Sequence, residues 1–498
     1  MKNSGNRGRE AGPSVRLRAV FGREMGLGIG LGLCLVCVPG GGAAAQDLPA
    51  APTPNLVLQA PGGVPVATAT GAAMPLGLDE AIERGMRLNL QQLLAQQNER
   101  SVHGQIRTVE NNLLPSLSAQ LQTGAQELNL AALGFKPSLV AEFGFPVSEF
   151  AEIVKIQTTS AQLNVAQQLF NLPAYEFYRA AQKAALVAGL ATQLGRGNVA
   201  LEVGTTYLQA IADAAEIANA EALEKADEVS LRQARLSHDA GVGTNLDALR
   251  AQVQLQTQQQ VRISAENQFG KDKIALNRLI GLPADQQIVL TDTVPFAAFS
   301  ELTQPEALTL AFTRRKDYLE LEAQLEVAER SSKAVRYQRF PTLAFGGFYG
   351  VLGQTTGLYH GDFTAQGKLQ FPIFEEASLR GEREVASAQI SQIRAQIANL
   401  RVTMDQQIRS SMLDVQSSAE LVKVAQSNVE LSKQEQSDAE ERFRAGVTDN
   451  LPLVEAQATL SAAQSRLIQS EFQYNQSKLM LARNIGVVET QYKAYLGR

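Results

Sequence analysis

The sequence predicts a mainly α chain with a β-barrel portion, built from a helix–strand–strand–helix unit that occurs twice and supplies four strands in all. Three observations carry that expectation. Five sequence landmarks recur in the same order in the two halves. Four stretches, each about ten residues long, alternate between apolar and polar side chains, the signature of a strand with one dry face. Two runs, Ala174 to about Ser237 and Ala377 to about Arg444, contain no proline and little glycine.

The chain has 498 residues, of which 45% are hydrophobic and 19% charged, so neither disorder nor an unusually polar surface is indicated. Its start reads as an export signal over residues 1–45. Lys2, Arg7, Arg9, Arg16, Arg18 and Arg23 precede an apolar stretch from Leu27 to Val38 and a small-residue cleavage site at Ala43-Ala44-Ala45. An uncleaved anchor would need roughly 18 apolar residues, more than this stretch offers. A lipid on Cys37 is disfavoured because the preceding Cys34-Leu35-Val36 lacks the small residue that such a site places before its cysteine. Cleavage would leave no cysteine and shift the net charge from −5 to −9, by removing six basic and two acidic residues. So acidic a chain is not built to hold nucleic acid, which requires basic patches.

Residues 46–75 carry Pro49, Pro52, Pro54, Pro61, Pro65 and Pro75 among Ala, Gly and Thr, and read as an extended leader without a regular element. A first copy of the unit then spans 76–285, a linker 286–301, the second copy 302–490 and a short tail 491–498. The first copy runs LDEAIERGMRLNLQ, NLLPSLSAQLQ, QQLFNLPA, LSHDAGVGTNLDALRAQ and ALNRLIGLP, from Leu78 onward. The second runs LTQPEALTLAFTRRKDY, YQRFPTLAFGG, LQFPIFEEAS, RFRAGVTDNLPLVEAQ and MLARNIGVV, from Leu302 onward. The distance from Phe170 to Gly281 is 111 residues and from Phe374 to Gly486 is 112, whereas Pro115 to Phe170 is 55 and Pro341 to Phe374 only 33. The first copy therefore carries its insertion between its two strands, in a loop around Glu127–Ile153.

The strands are expected near 115–126, 155–170, 341–352 and 362–373. In the first, Leu117, Ala119, Leu121 and Ala125 oppose Ser118, Gln120, Gln122 and Gln126; in the last, Phe363, Ala365, Leu369 and Phe371 oppose Thr364, Gln366, Lys368 and Gln370. About ten residues is the length a tilted strand needs to cross a bilayer, with the apolar face on lipid and the Gln-rich face on water. Four strands cannot close such a barrel, so several subunits must contribute.

The long runs predict helices of roughly 100 Å at 1.5 Å per residue. In the second of them Ile408, Val415, Val422 and Val429 recur every seven residues, with Met412, Ala419 and Gln426 four later, a thin coiled-coil seam. Shorter helices are expected at Glu80–Asn111, Leu246–Leu279, Glu306–Arg336 and Leu453–Asn484. Two of these stacked end to end match one long helix, giving each copy an evenly thick helical layer.

No catalytic constellation is present. His103, His238 and His360 are scattered, and no HExxH, GxSxG or phosphate-loop pattern occurs. Few methionines and no mature cysteine leave no soft-metal site, so no cofactor or metal is expected.

This duplicated order resembles the TolC-like outer membrane efflux proteins over residues 76–490, most specifically in HDAGVGTNLDALRAQ and FRAGVTDNLPLVEAQ. The resemblance implies a homotrimer in the outer membrane, whose lipid it meets with four strands per subunit in a twelve-stranded barrel, continued into the periplasm by a helical coiled-coil tunnel. It implies an exit duct for a tripartite efflux pump or type I secretion system, with a periplasmic adaptor (membrane fusion protein) and an inner-membrane transporter as partners. Gly241, Val242, Gly243 and Thr244, with Gly446, Val447 and Thr448, would form the tip that docks the adaptor. Glu455, Asp247 and Asp449 are the candidate gate acids. Glu455 occupies the place of an aspartate in the family's similar leucine-rich segment, whereas a second acidic position of some relatives falls on Pro452 here. The competing reading is a periplasmic coiled-coil scaffold or adaptor protein of an envelope transport complex, which would not need lipid-patterned strands.

Overall fold

The computed structural model describes residues 62–64, 72–132, 134, 152–292, 297, 299, 302–355, 357–373 and 376–497. The expected export signal with Cys34 and Cys37, most of the leader, and most of the loop insertion lie outside the described residues.

All four expected strands form. Ser116–Asn129 (β2) pairs antiparallel with Ile153–Phe170 (β3), and Thr342–Gln354 (β5) with Tyr359–Gln370 (β6). The copies join through an antiparallel β3–β5 pairing, giving the order β2-β3-β5-β6. The last strand ends at Gln370, short of the expected 373, where Pro372 cannot donate to a ladder. The register lines up the apolar positions: Ala119, Leu163, Tyr349 and Phe363 form one cross-strand row, and Gln120, Gln162, Gly350 and Asp362 the next, on the opposite face. The apolar face covers no core; on it Leu121 is 78% exposed and Tyr349 and Phe363 each 69%.

The two long helices are Leu172–Asp239 (α3, 68 residues) and Glu376–Arg444 (α7, 69 residues). Asn171 caps the first, its side chain accepting from the Ala174 N–H at 3.0 Å, with Pro173 in the first turn, where a missing N–H costs nothing. The seven-residue seam is buried as expected: Ile408 and Val422 are fully enclosed and Val415 and Val429 nearly so, with Met412 and Ala419 packed beside them.

The shorter helices Asn245–Leu279 (α4) and Leu451–Ile485 (α8) follow each long one. The other two expected helices are each broken. Leu78–Leu88 (α1) stops at Asn89 before Leu90–Asn111 (α2), and Gln304–Arg314 (α5) stops at Arg315 before Lys316–Tyr337 (α6). Both hinge residues have extended backbone, with ψ of 130° and 121°. What wedges against each hinge is the glycine ending the neighbouring short helix. Gly281 and Gly486 sit at φ +72° and +87°, and a Cβ on them would lie 2.7 Å from the Leu88 Cβ and 2.7 Å from the Arg315 N. The LIGLP and NIGVV landmarks are thus close-approach points between stacked helices.

Around the first junction a core of Leu76, Leu78, Ile82, Val203, Tyr207, Leu276 and Ile280 is sealed by a two-stranded parallel sheet, Met74–Leu76 (β1) with Ile288–Leu290 (β4). The leader therefore does hold a regular element at Met74 and Pro75. Leu76 beside them is fully buried, and the Tyr207 hydroxyl lies 2.8 Å from its carbonyl. A last helix, Val488–Tyr495 (α9), crosses the expected boundary at residue 490, because Val488, Tyr492 and Tyr495 are buried against the two cores. Beyond the junctions the helices pack in series: α4 on α3, α3 on α8, α8 on α7; and toward the strands α2 on α3, α3 on α6, α6 on α7.

Candidate functional site at the helical turns

The site candidates lie where α3 turns into α4 and α7 into α8. Both turns close with the same hydrogen bonds. Val242 N–H donates to the Ser237 carbonyl and Val447 N–H to that of Arg442, each at 3.0 Å, spanning a glycine at φ +76° (Gly241) or +70° (Gly446). This is the glycine-terminated helix end that satisfies the last carbonyls. Gly243 is required for space, since a Cβ there would stand 2.9 Å from the Ser237 Cβ. Both turns present a valine to solvent: Val242 is 83% and Val447 73% exposed.

The three acids differ in their surroundings. Asp247 is buried, and its carboxylate accepts from the Thr244 hydroxyl (2.6 Å) and Thr244 N–H (3.1 Å), while the Asp247 N–H donates to the Thr244 Oγ1 at 3.3 Å. This reciprocal pair caps α4. The carboxylate also accepts from the Asn450 N–H at 3.4 Å, and the Asn450 side-chain amide donates to the Asp247 carbonyl at 3.2 Å. Asp247 thereby ties the two turns together. Burial would raise its pKa, but the bonds from Thr244 and Asn450 and the nearby Arg250 outweigh that and hold it below the usual carboxylate range. Asp449 stands outside, paired with Arg250 at 3.2 Å. Glu455 is exposed on the first turns of α8 and has no ion-pair partner among the described residues.

Sequence reasoning passed over Asn450 and Arg250, which join the turns. Asn450 was legible as a residue of helix-capping type directly before Leu451-Pro452, although its side chain reaches across to the other turn instead of capping α8. Thr448, counted with the tip, has its hydroxyl oxygen buried without a hydrogen-bond partner among the described residues. Among the described residues no group of three His, Cys, Asp or Glu is arranged to hold a metal ion, and no helix is long and apolar enough to cross a membrane.

A model of the outer membrane efflux protein family matches residues 84–282 and 307–487. The chain belongs to that family. As an outer membrane efflux protein it is a channel component located in the outer membrane, in a family that transports. It is similar to the pyoverdine export outer membrane protein OpmQ of Pseudomonas putida, 24% identical over 323 residues that make up 62% of this chain and 67% of that one. Among solved structures it resembles a membrane protein of Pseudomonas aeruginosa (TM-score 0.71, 18% identity, 82% of this chain and 93% of the other). It also resembles the CmeC outer membrane channel of Campylobacter jejuni (TM-score 0.69, 14% identity, 82% and 85%). These likenesses establish the TolC-like fold. The family match sets aside the soluble scaffold reading, for which the exposed apolar sheet face would have no purpose.

Proposed function

We propose that this outer membrane efflux protein works as a homotrimeric, passive exit duct whose periplasmic end is gated at the α8 turn and engaged by a periplasmic adaptor with its inner-membrane transporter. The observation that carries the reading is a pair of unfilled edges. Among the described residues the sheet leaves one edge of β2 and one of β6 unpaired. At the same ends of the helical series, α7 and α4 each carry an apolar stripe left more than half exposed by the described residues. On α7 it consists of Val402, Leu413, Val424 and Leu431, each more than half exposed and lying opposite the buried seam. The first three are spaced by eleven residues, three turns of helix, so they stay in line. On α4 it consists of Leu246, Leu249, Val253, Ile263 and Ile274, all more than half exposed. Two different edges call for a head-to-tail contact, β6 and α7 of one copy on β2 and α4 of the next, and such a contact either closes into a ring or propagates.

The strand count supports three copies. Two copies would give eight strands, whose interior side chains fill, whereas three give twelve and a wider interior, since barrel diameter grows with strand number. Threefold repetition of Glu455 would then place three carboxylates near one axis and favour cations in a narrow opening. Val242 and Val447, with the glycines that shape their turns, offer the adaptor an exposed apolar tip.

The test is conductance across planar bilayers, with the oligomer followed as a heat-sensitive band on gels. The expected outcome is a trimer whose small cation-selective conductance rises in Glu455→Ala. A protein that is monomeric in detergent, or that conducts nothing in either form, would overturn the reading.

A further inference from the structure

Where the second strand pair meets its helices, arginines outnumber the acids that face them. Tyr337 ends α6, Thr342 begins β5, Gln370 ends β6 and Glu376 begins α7, so four chain ends meet at the border of the sheet. Into that border project Arg336, Arg339, Arg380 and Arg383. Three of them converge on one carboxylate: Arg339 Nη2 lies 2.5 Å, Arg380 Nε 2.8 Å and Arg383 Nη2 3.1 Å from Glu376. Arg336 has no side-chain partner among the described residues. An open cleft of about 730 Å³ lies between the helices, lined by Ser332, Arg336, Glu376, Arg380, Arg383 and Glu384. Among the described residues three guanidinium groups thus line the cleft against two carboxylates, one of which, Glu376, is also held by Arg339, so the cleft carries an excess of positive charge.

The setting says which anion the excess is for. Arg339 is three residues before a strand whose apolar face is bare, and it is flanked by an edge-to-face Tyr337–Phe340 pair at 5.6 Å. Phe340 and Phe371, at the ends of β5 and β6, and Phe170, at the end of β3, are all more than two-fifths exposed. Aromatic rings collaring the ends of lipid-facing strands mark the headgroup level of a bilayer. Guanidinium groups bind phosphate through paired hydrogen bonds, and a carboxylate shared three ways leaves most of their donors unused.

We propose that this cleft binds the phosphate of an anionic phospholipid headgroup in the periplasmic leaflet of the outer membrane. The lipid would complete the charge balance that Glu376 begins and hold the ends of β5 and β6 at a fixed depth. The inference rests on the strands crossing the outer membrane, but not on the gate or on the adaptor.

Native mass spectrometry of the full-length protein in detergent tests it, with phosphatidylglycerol, phosphatidylcholine of the same acyl chains and inorganic phosphate as the three probes. Arg336→Gln/Arg380→Gln leaves the Arg339–Glu376 tie in place. It is expected to weaken phosphatidylglycerol retention about 30-fold, from roughly fivefold per lost surface arginine, with the melting temperature held. Glu384→Gln, which removes an opposing charge, is expected to strengthen retention, an outcome that misfolding cannot imitate. Equal retention by wild type and the double variant, or no preference for phosphatidylglycerol over phosphatidylcholine, would overturn the proposal. So would displacement of the lipid by millimolar inorganic phosphate, which would make this a free-anion site. A failed conductance test alongside intact, arginine-dependent lipid retention would count against the duct and not against the lipid site.

Discussion

Replacing Asp247 with alanine should loosen both helical turns, although the residue lies in only one of them. In the first turn the substitution removes the acceptor for the Thr244 N–H and hydroxyl, half of a capping box whose loss costs about 1 kcal/mol. In the second it leaves the buried Asn450 N–H without its acceptor. An orphaned buried donor costs about 1–3 kcal/mol, and because this bond is long at 3.4 Å the low end applies. The Arg250–Asp449 pair survives, but it is exposed enough to contribute little. The total of about 2 kcal/mol converts to roughly 30-fold in a local opening equilibrium. Amide hydrogen exchange under conditions where opening is at equilibrium should therefore accelerate by that order at residues 244–250 and at residues 449–453. Asp247→Asn, which keeps one acceptor oxygen, should fall between, and Glu455→Ala should leave both segments unchanged. Acceleration confined to residues 244–250 would refute the claim that this carboxylate joins the turns.

Two further outcomes follow from other parts of the fold. Asp213 on α3 has its pKa raised to about 7, first by burial and then by the facing Asp272 of α4, with Glu216 adding to the effect. Asp227 is raised to about 6, chiefly by burial. Since both folded values lie above the unfolded value of about 3.9, these two groups bind more protons in the folded state, and their contribution to the stability of the α3–α4 pair is full below about pH 4 and is lost as pH rises through 6 and 7. Protection of the α3–α4 pair, corrected for intrinsic exchange, should be higher at pH 5 than at pH 8, and Asp213→Asn should flatten the profile; rising protection toward pH 8 would contradict the assignment. Gly486→Ala places a Cβ 2.7 Å from the Arg315 N in a backbone conformation already unfavourable to alanine, for an expected loss of about 2–4 kcal/mol. Gly446→Ala, with no atom in the way, should cost only about 1 kcal/mol; equal shifts in the denaturant midpoints of the two variants would remove the close-approach role assigned to Gly486.

Legibility in the sequence followed the range of the interaction. The strands could be read because alternation at period two needs no knowledge of neighbours, and the register bears it out by aligning Ala119, Leu163, Tyr349 and Phe363. The long helices could be read from missing prolines. The breaks at Asn89 and Arg315 could not, because what forces them is a glycine at the end of another helix, close in space and about 170 to 190 positions away in the chain. Thr244-Asn245-Leu246-Asp247 carries the spacing of a capping box and so announced part of the role of Asp247. The rest depends on Asn450, 203 positions away.

The duplication itself separates the three acids. Aligned on their glycines and valines, GVGTNLDALRAQ and GVTDNLPLVEAQ match without a gap, which sets Thr244 against Asp449, Asp247 against Pro452 and Arg250 against Glu455. The first copy thus has a buried acid and a cation where the second has a proline and an exposed acid. Within one chain these differences are complementary: the acid of the first turn receives the Asn450 backbone of the second, and the cation of the first turn neutralises Asp449. Once those pairings are made, Glu455 is the candidate acid left without an ion pair among the described residues. A negatively charged constriction built from these turns would therefore draw its field from Glu455, while Asp247 acts upstream of it, by fixing where α8 begins.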